Sequence, residues 1–239
     1  DVSKMQRLLE AKGIKIVLGA AVEGFESSPE AVTTLTTAGR FDSEAVLLAV
    51  GRVPNTEALG LDRAGIRTDD RGFIVTDELL RAGEGVWAMG DVAGSPQFTY
   101  VSLDDYRIVR DQILGEGKRT TKDRLLLPTS VFTTPALSQV GMTETMAAAS
   151  GRPYEVKRLQ TVAIPKAKVL GETHGLLKAI VDTETGLILG ATLFCPEAHE
   201  LINLLKLAMD HQIPAEALRT QIFTHPTIAE ALNDLFAPN

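Results

Sequence analysis

Apolar residues recur at helical spacing over residues 3–12, where Met5, Leu8 and Leu9 share one face and Gly13 supplies a stop. Ile14 to Leu18 then reads as a strand. A second strand is expected at 30–37, with a turn at Ala38–Gly39, and Phe41 to Glu44 lead into the run Ala45–Val50. An unbroken apolar run suits a strand covered on both faces, because alternation with polar residues is lost only when neither face meets water. Residues 57–85 are rich in loop formers, and Phe73–Val75 is the clearest short strand among them. Val86–Met89 reads as a short buried strand entering Gly90–Asp91, and a helix is expected from Thr99 or Tyr100 to Leu114.

The pattern then changes. Gly115–Arg124 is charged and glycine-bearing, which reads as a linker. Beyond it, strands are expected at 129–133, 139–141, 154–163, 175–182 and 187–195. A helix is expected over 143–150, and a second over 197–211 carries Leu201, Leu204, Leu205 and Ala208 at helical spacing. Pro214 heads a short helix, and a last one covers 228–236. The fold class is therefore α/β plus α+β: a remnant of Rossmann-like nucleotide-binding domains, then an α+β domain with an antiparallel sheet.

Composition narrows the function. The chain is 44% apolar and 23% charged, as folded globular chains are. Its 24 basic and 31 acidic residues leave a net charge of −7, which argues against nonspecific binding to nucleic acid or an anionic membrane. Cys195 is the single cysteine, so no internal disulfide forms, no zinc-ligand spacing exists, and a cytoplasmic location is expected. No apolar run approaches the ~18 residues of a membrane span. The sequence starts inside a helical pattern without an initiator Met, as expected of a piece of a longer chain.

Three strings carry chemistry. In VWAMGDVAG (86–94) a strand ends at Gly90–Asp91 and turns toward a helix N-terminus. Ligands of open α/β sheets bind at such ends: glycine lets the backbone approach, and a carboxylate accepts hydrogen bonds from sugar hydroxyls. An ordinary turn with Asp91 capping a helix reads equally well from spacing alone. AVGRVPNT (49–56) precedes this string, and HPTIAEALNDLF (225–236) closes the chain. Thr227–Glu230 has the spacing of a capping box, and His225–Pro226 that of a turn with a cis bond.

In this order and at these separations, the three strings resemble the pyridine nucleotide-disulfide oxidoreductases, the family of glutathione reductase, lipoamide dehydrogenase and mercuric reductase. The resemblance runs over the whole chain. It implies that Gly90 and Asp91 bind FAD, Asp91 through the ribityl chain, and that Gln97, Phe98 and Thr99 form the helix N-terminus under the flavin pyrimidine ring. Gly51, Arg52 and Pro54 match the segment joining the nucleotide domain back to the FAD domain. His225 and Glu230 match the family's acid/base pair, in which the histidine serves a dithiol of the partner subunit and the glutamate orients it.

The implied domains are 1–51, the tail of the NAD(P)-binding domain; 52–121, the second FAD segment; and 122–239, the dimerisation domain of a homodimer. No metal site is expected. The glycine motifs for FAD and NAD(P)H and the redox cysteine pair, which the family carries earlier in its sequence, are absent. The chain therefore resembles the C-terminal half of such a flavoenzyme. Phe223 stands where lipoamide dehydrogenases usually carry a histidine, and the end Leu235–Asn239 lacks the cysteine pair of mercuric reductases. Residues 97–109 and 222–236 look most like the RclA-type branch, whose members reduce small oxidants or metal ions with NAD(P)H. A reading from another class is that the isolated chain is a non-catalytic dimerisation module. His174, His199 and His211 read as loop or helix-surface residues, and Cys195 as buried and inert. Lys166 and Lys168 read as an exposed polar edge after Pro165.

Overall fold

The computed structural model describes residues 2–238. Along the chain the elements are α1 (Val2–Ala11), β1 (Val22–Ser27), β2 (Val32–Thr36), β3 (Gly39–Ser43), β4 (Arg81–Gly83), β5 (Val86–Trp87), α2 (Thr99–Leu114), β6 (Thr129–Val131), β7 (Ala136–Gly141), α3 (Glu144–Ser150), β8 (Tyr154–Gln160), α4 (Pro165–Leu170), β9 (Leu176–Asp182), β10 (Ile188–Cys195), α5 (Ala198–Asp210), α6 (Ala215–Thr220) and α7 (Ala231–Leu235). They fall into two compact units, Gly19–Leu125 and the pair Asp1–Leu18 with Leu126–Asn239.

The larger unit is built on a five-stranded antiparallel sheet of order β6-β7-β10-β9-β8. Its central strands are buried on both faces. Leu177 and Ala179 pair with Leu193 and Ala191 on the face of the main core. Leu201, Ile202, Leu205 and Ala208 of α5 close that core against β7 and β10. Each leucine fully removed from water there contributes about 2 kcal/mol. On the opposite face Leu176, Ile180 and Phe194 are buried, and Lys178 reaches Glu144 of α3 at 3.4 Å. The sequence ends α3 cleanly: Thr143 Oγ1 accepts the N–H of Met146 at its start, and Gly151 takes the left-handed conformation at its end.

The smaller unit carries the three-stranded antiparallel sheet β1-β2-β3 and the two-stranded ribbon β4–β5. Helix α2 buries Val101, Asp105 and Ile108 on one stripe.

Three expected strands do not form. Residues 14–18 and 45–50 belong to no strand, and Leu47 is 90% and Val50 87% exposed. A strand needs a neighbour to take its amides and carbonyls, and no strand among the described residues lies against either run. The apolar pattern registered a demand for burial that these residues do not meet themselves. Phe73 and Ile74 are buried as expected, but the segment makes only an isolated bridge from Thr68 to Ile74.

Residues 115–124 are not a slack linker. Asp111 of α2 accepts the Arg119 and Glu116 N–H groups at 2.8 and 3.2 Å, and Thr120 and Asp123 cap each other. Arg124 then closes onto Asp104 and Asp105. Two elements were not anticipated. Strand β1 shows no alternation, being exposed at all positions but one, and α4 occupies the stretch that read as an exposed polar edge.

Candidate functional site

The predicted residues form two groups, one in each unit. In the unit Gly19–Leu125, strand β5 ends at Trp87, three residues before Gly90. The expected buried strand over Val86–Met89 leaves Val86 and Met89 exposed because its single partner, β4, covers little of it. Gly90 opens a 3-10 turn over Gly90–Ala93. Gly90 adopts φ +74°, a conformation that favours glycine, and a Cβ placed there would lie 2.7 Å from Ser102 Oγ and push that hydroxyl aside. The Gly90 N–H donates to Asp105 Oδ2 at 2.6 Å. Asp91 leaves its carboxylate partly exposed and accepts from Arg52 Nη1 at 2.7 Å. It caps no helix through its side chain.

Gln97, Phe98 and Thr99 mark the start of α2. Phe98 is the N-cap in extended conformation, and its ring stacks on Tyr100 at 5.1 Å. No acidic side chain occupies the first turn, so the positive end of this sixteen-residue helix is left uncompensated. The donor set suits a polyhydroxylated chain beside Asp91, with a group that gains negative charge near the helix start. FAD is such a molecule, and the residues fit it.

In the other unit, the last turns bring His225 and Glu230 together. His225 Nδ1 lies 2.7 Å from Glu230 Oε2. Glu230 Oε1 accepts the Thr227 N–H at 3.1 Å, while Thr227 Oγ1 accepts the Glu230 N–H at 3.2 Å. The capping box and the histidine contact are therefore not alternatives, since each uses a different oxygen of one carboxylate. The His225–Pro226 bond is cis. The His225 side chain is 68% exposed and that of Glu230 19%, so the ring presents its far edge while its anchor is mostly sheltered. The expected helix over 228–236 shortens to Ala231–Leu235, because the box holds 227–230 as a turn.

The His225 hydrogen bond, seconded by the Thr227 amide, holds the Glu230 carboxyl below its ordinary value of 4.5 despite partial burial. A carboxylate whose pKa falls on folding adds stability in full above its unfolded pKa, and loses it as pH drops through the folded value. The stability gap between the native chain and Glu230→Gln should therefore be widest at neutral pH and close below pH 4.5. Urea midpoints measured from pH 6 to 3 test this, and a gap that stays constant counts against it.

The remaining histidines and the cysteine take other roles. His174 and His211 are exposed. His199 is half-buried rather than on the helix surface, with its ring tilted against Phe132 at 5.5 Å. It lines a hollow of about 290 Å³ that contains none of the predicted site residues. Burial, followed by the charge of Glu197, pushes the Cys195 thiol up to about 12, which suits an inert core residue. Among the described residues no group of three metal-binding side chains occurs. No helix among them is long and apolar enough to cross a membrane.

Two contributors were missed. Arg52, matched above only to the joining segment, engages Asp91. Asp105 had no reading, although an acid on the apolar stripe between Val101 and Ile108 was a visible signal.

Comparison with known proteins bears on both groups. The family model "Pyridine nucleotide-disulphide oxidoreductase" matches residues 2–105, and the model of that family's dimerisation domain matches 127–236. The probable pyridine nucleotide-disulfide oxidoreductase RclA of Escherichia coli is 49% identical over 96% of this chain and 52% of its own length. A dihydrolipoyl dehydrogenase of Bacillus subtilis is 34% identical over 95% of this chain and 49% of its own. The structure of "HOCl-induced flavoprotein disulfide reductase RclA from Escherichia coli" superposes with a TM-score of 0.94 at 48% identity, covering 98% of this chain and 54% of that one. The chain spans about half the length of the curated relatives it matches.

Proposed function

The chain belongs to the pyridine nucleotide-disulphide oxidoreductase family, and on that premise we propose that it is part of a homodimeric oxidoreductase dependent on FAD and NAD(P)H. Bound FAD would supply the two-electron chemistry between NAD(P)H and a redox-active disulfide outside these 239 residues, with a small disulfide, an oxidant or a metal ion as final acceptor. Residues 1–51 are read as the tail of the NAD(P) domain, 52–121 as the second FAD segment and 122–239 as the dimerisation domain. A cytoplasmic setting belongs to the same reading, in keeping with a single cysteine.

The observation that carries the reading is the 2.7 Å contact between His225 and Glu230. With Nδ1 committed to the carboxylate, the exposed Nε2 is the atom free to take a proton from a thiol and return it. A fixed ring costs no reorientation at that moment, and histidine exchanges protons near neutral pH. Asp91, steadied by Arg52, would accept hydroxyl hydrogen bonds from the ribityl chain. The start of α2 at Gln97–Thr99 would stabilise negative charge that develops beside it. A second reading, that the isolated chain is a non-catalytic dimerisation module, is favoured by the exposed and unpaired run 45–50.

Replacing His225 by glutamine in the full-length enzyme should lower kcat about a hundredfold, the lower range for loss of an acid/base group. Flavin absorbance per subunit should be unchanged. Glu230→Gln should fall between the two, since it keeps the acceptor for Thr227 and loses the charge opposite the ring. Wild-type kcat across pH in the His225 variant would remove the proposed role.

A further inference from the structure

Asp105 is fully buried on the apolar stripe of α2, and both of its oxygens are engaged. Oδ2 accepts the Gly90 N–H at 2.6 Å, and Oδ1 pairs with the Arg124 guanidinium. Arg124 also donates to Asp104 Oδ2 at 2.6 Å, and Arg119 pairs with the other Asp104 oxygen. Two arginines thus oppose two aspartates. The cluster sets two guanidinium groups against two carboxyl groups, and Asp105 is the member wholly shut off from solvent. A buried carboxylate takes an amide N–H in a hydrogen bond stronger than a neutral acceptor would make.

What this bond holds is the Met89–Gly90 peptide, one residue before Asp91. Ser102 lies against Gly90 from the same helix face, one turn earlier than Asp105. The turn is fixed at two points on α2, and with Gly90 held at φ +74° the position of its amide sets the direction in which the chain presents Asp91. Binding groups need placement to within about 0.5 Å, which surrounding hydrogen bonds provide. We propose that Asp105 is a positioning residue for the cofactor-binding turn, setting FAD affinity through the Gly90 amide without touching the cofactor. The proposal rests on the reading that the Gly90–Asp91 turn holds FAD.

The test uses the full-length flavoenzyme stripped of FAD and titrated with it, together with hydrogen exchange at the Gly90 amide. Four variants are compared: Asp105→Leu, Asp105→Asn, Asp91→Ala and Val101→Ala. Asp105→Leu removes the acceptor and should weaken FAD binding by about tenfold or more, the worth of one hydrogen bond to a charged group. Asp105→Asn retains an acceptor and should lie between. Both should speed Gly90 exchange, and adding Asp91→Ala to either should cause little further loss, because the two act through one contact. Val101→Ala loosens α2 without reaching Gly90 and should leave FAD affinity within about twofold.

If Asp105→Leu does not fold, Asp105→Asn carries the same readouts. Faster Gly90 exchange with unchanged FAD affinity, while Asp91→Ala still weakens FAD, overturns the positioning role and leaves the cofactor reading standing. FAD affinity indifferent to Asp91→Ala removes the cofactor reading and this proposal with it. An equal loss in Val101→Ala makes the effect one of general loosening, which also overturns it.

Discussion

Replacing Gly175 by alanine is expected to abolish stable folding of the unit containing the five-stranded sheet, at a cost of roughly 4 kcal/mol or more. Gly175 enters β9 at φ +125°, a conformation that L residues rarely adopt. A Cβ built there would lie 1.9 Å from the carbonyl oxygen of Phe194 and 2.9 Å from its carbon. The obstacle is backbone, and Phe194 belongs to β10 at the centre of the sheet, so no side-chain rotation relieves the clash. The same carbonyl accepts the hydroxyl of the buried Thr161 at 3.3 Å, and Thr161 N–H donates back to Gly175 at 3.2 Å. Separating the strands would break both bonds. Urea unfolding followed by circular dichroism provides the test. A midpoint shift worth less than about 1 kcal/mol, the average for point mutants, would show that the sheet can yield here.

Arg124→Ala is the second large effect, expected to cost about 3 kcal/mol or more by leaving the buried Asp105 without its counter-charge and Asp104 with Arg119 alone. The Arg124 side chain is 10% exposed and that of Asp105 is wholly buried, so neither charge can turn to water for compensation. Burial pushes the Asp104 carboxyl up, but hydrogen bonds from Arg124 and Arg119 outweigh it and hold the group below its ordinary value. Arg40→Ala is the control. Its pair with Glu26 is exposed at both ends and should contribute less than about 1 kcal/mol. Trp87 is the single tryptophan and lies in the same unit, so its fluorescence reports on both variants directly. Equal losses from Arg124→Ala and Arg40→Ala would mean that the buried cluster is no stronger than a surface pair.

Periodicity and turn chemistry made much of the architecture legible. Strands β7 to β10 and helices α2, α3 and α5 lie close to their expected positions: β7 alternates, β9 and β10 are apolar runs buried on both faces and separated by the turn at 183–187, and α5 repeats its leucines at helical spacing. The runs 14–18 and 45–50 were read wrongly for an opposite reason. Apolar content states that a segment favours burial, but a strand exists only if another backbone takes up its hydrogen bonds. Arg119 and Arg124 looked like linker residues because nothing near them in sequence announces a partner; Asp104 and Asp105 lie fifteen to twenty positions away.

The site was legible in part. Thr227 and Glu230 announce their box through spacing, and the string HPTIAEALNDLF pointed to His225. That Glu230 divides its two oxygens between the box and the histidine is a matter of three-dimensional placement, which spacing does not encode. Asp105 was open to discovery as an acid at an apolar position, whereas its acceptor role toward Gly90 depends on how α2 packs against the 3-10 turn.

The divided carboxylate of Glu230 has a consequence for how this sequence can vary over generations. One oxygen secures a turn and the other holds a ring, so under the proposed role a substitution at position 230 would be felt by folding and by chemistry together. A drift toward glutamine forfeits the charge, and a drift toward aspartate shortens the reach to both partners. Under that role two demands, one on the turn and one on the ring, would converge on a single codon.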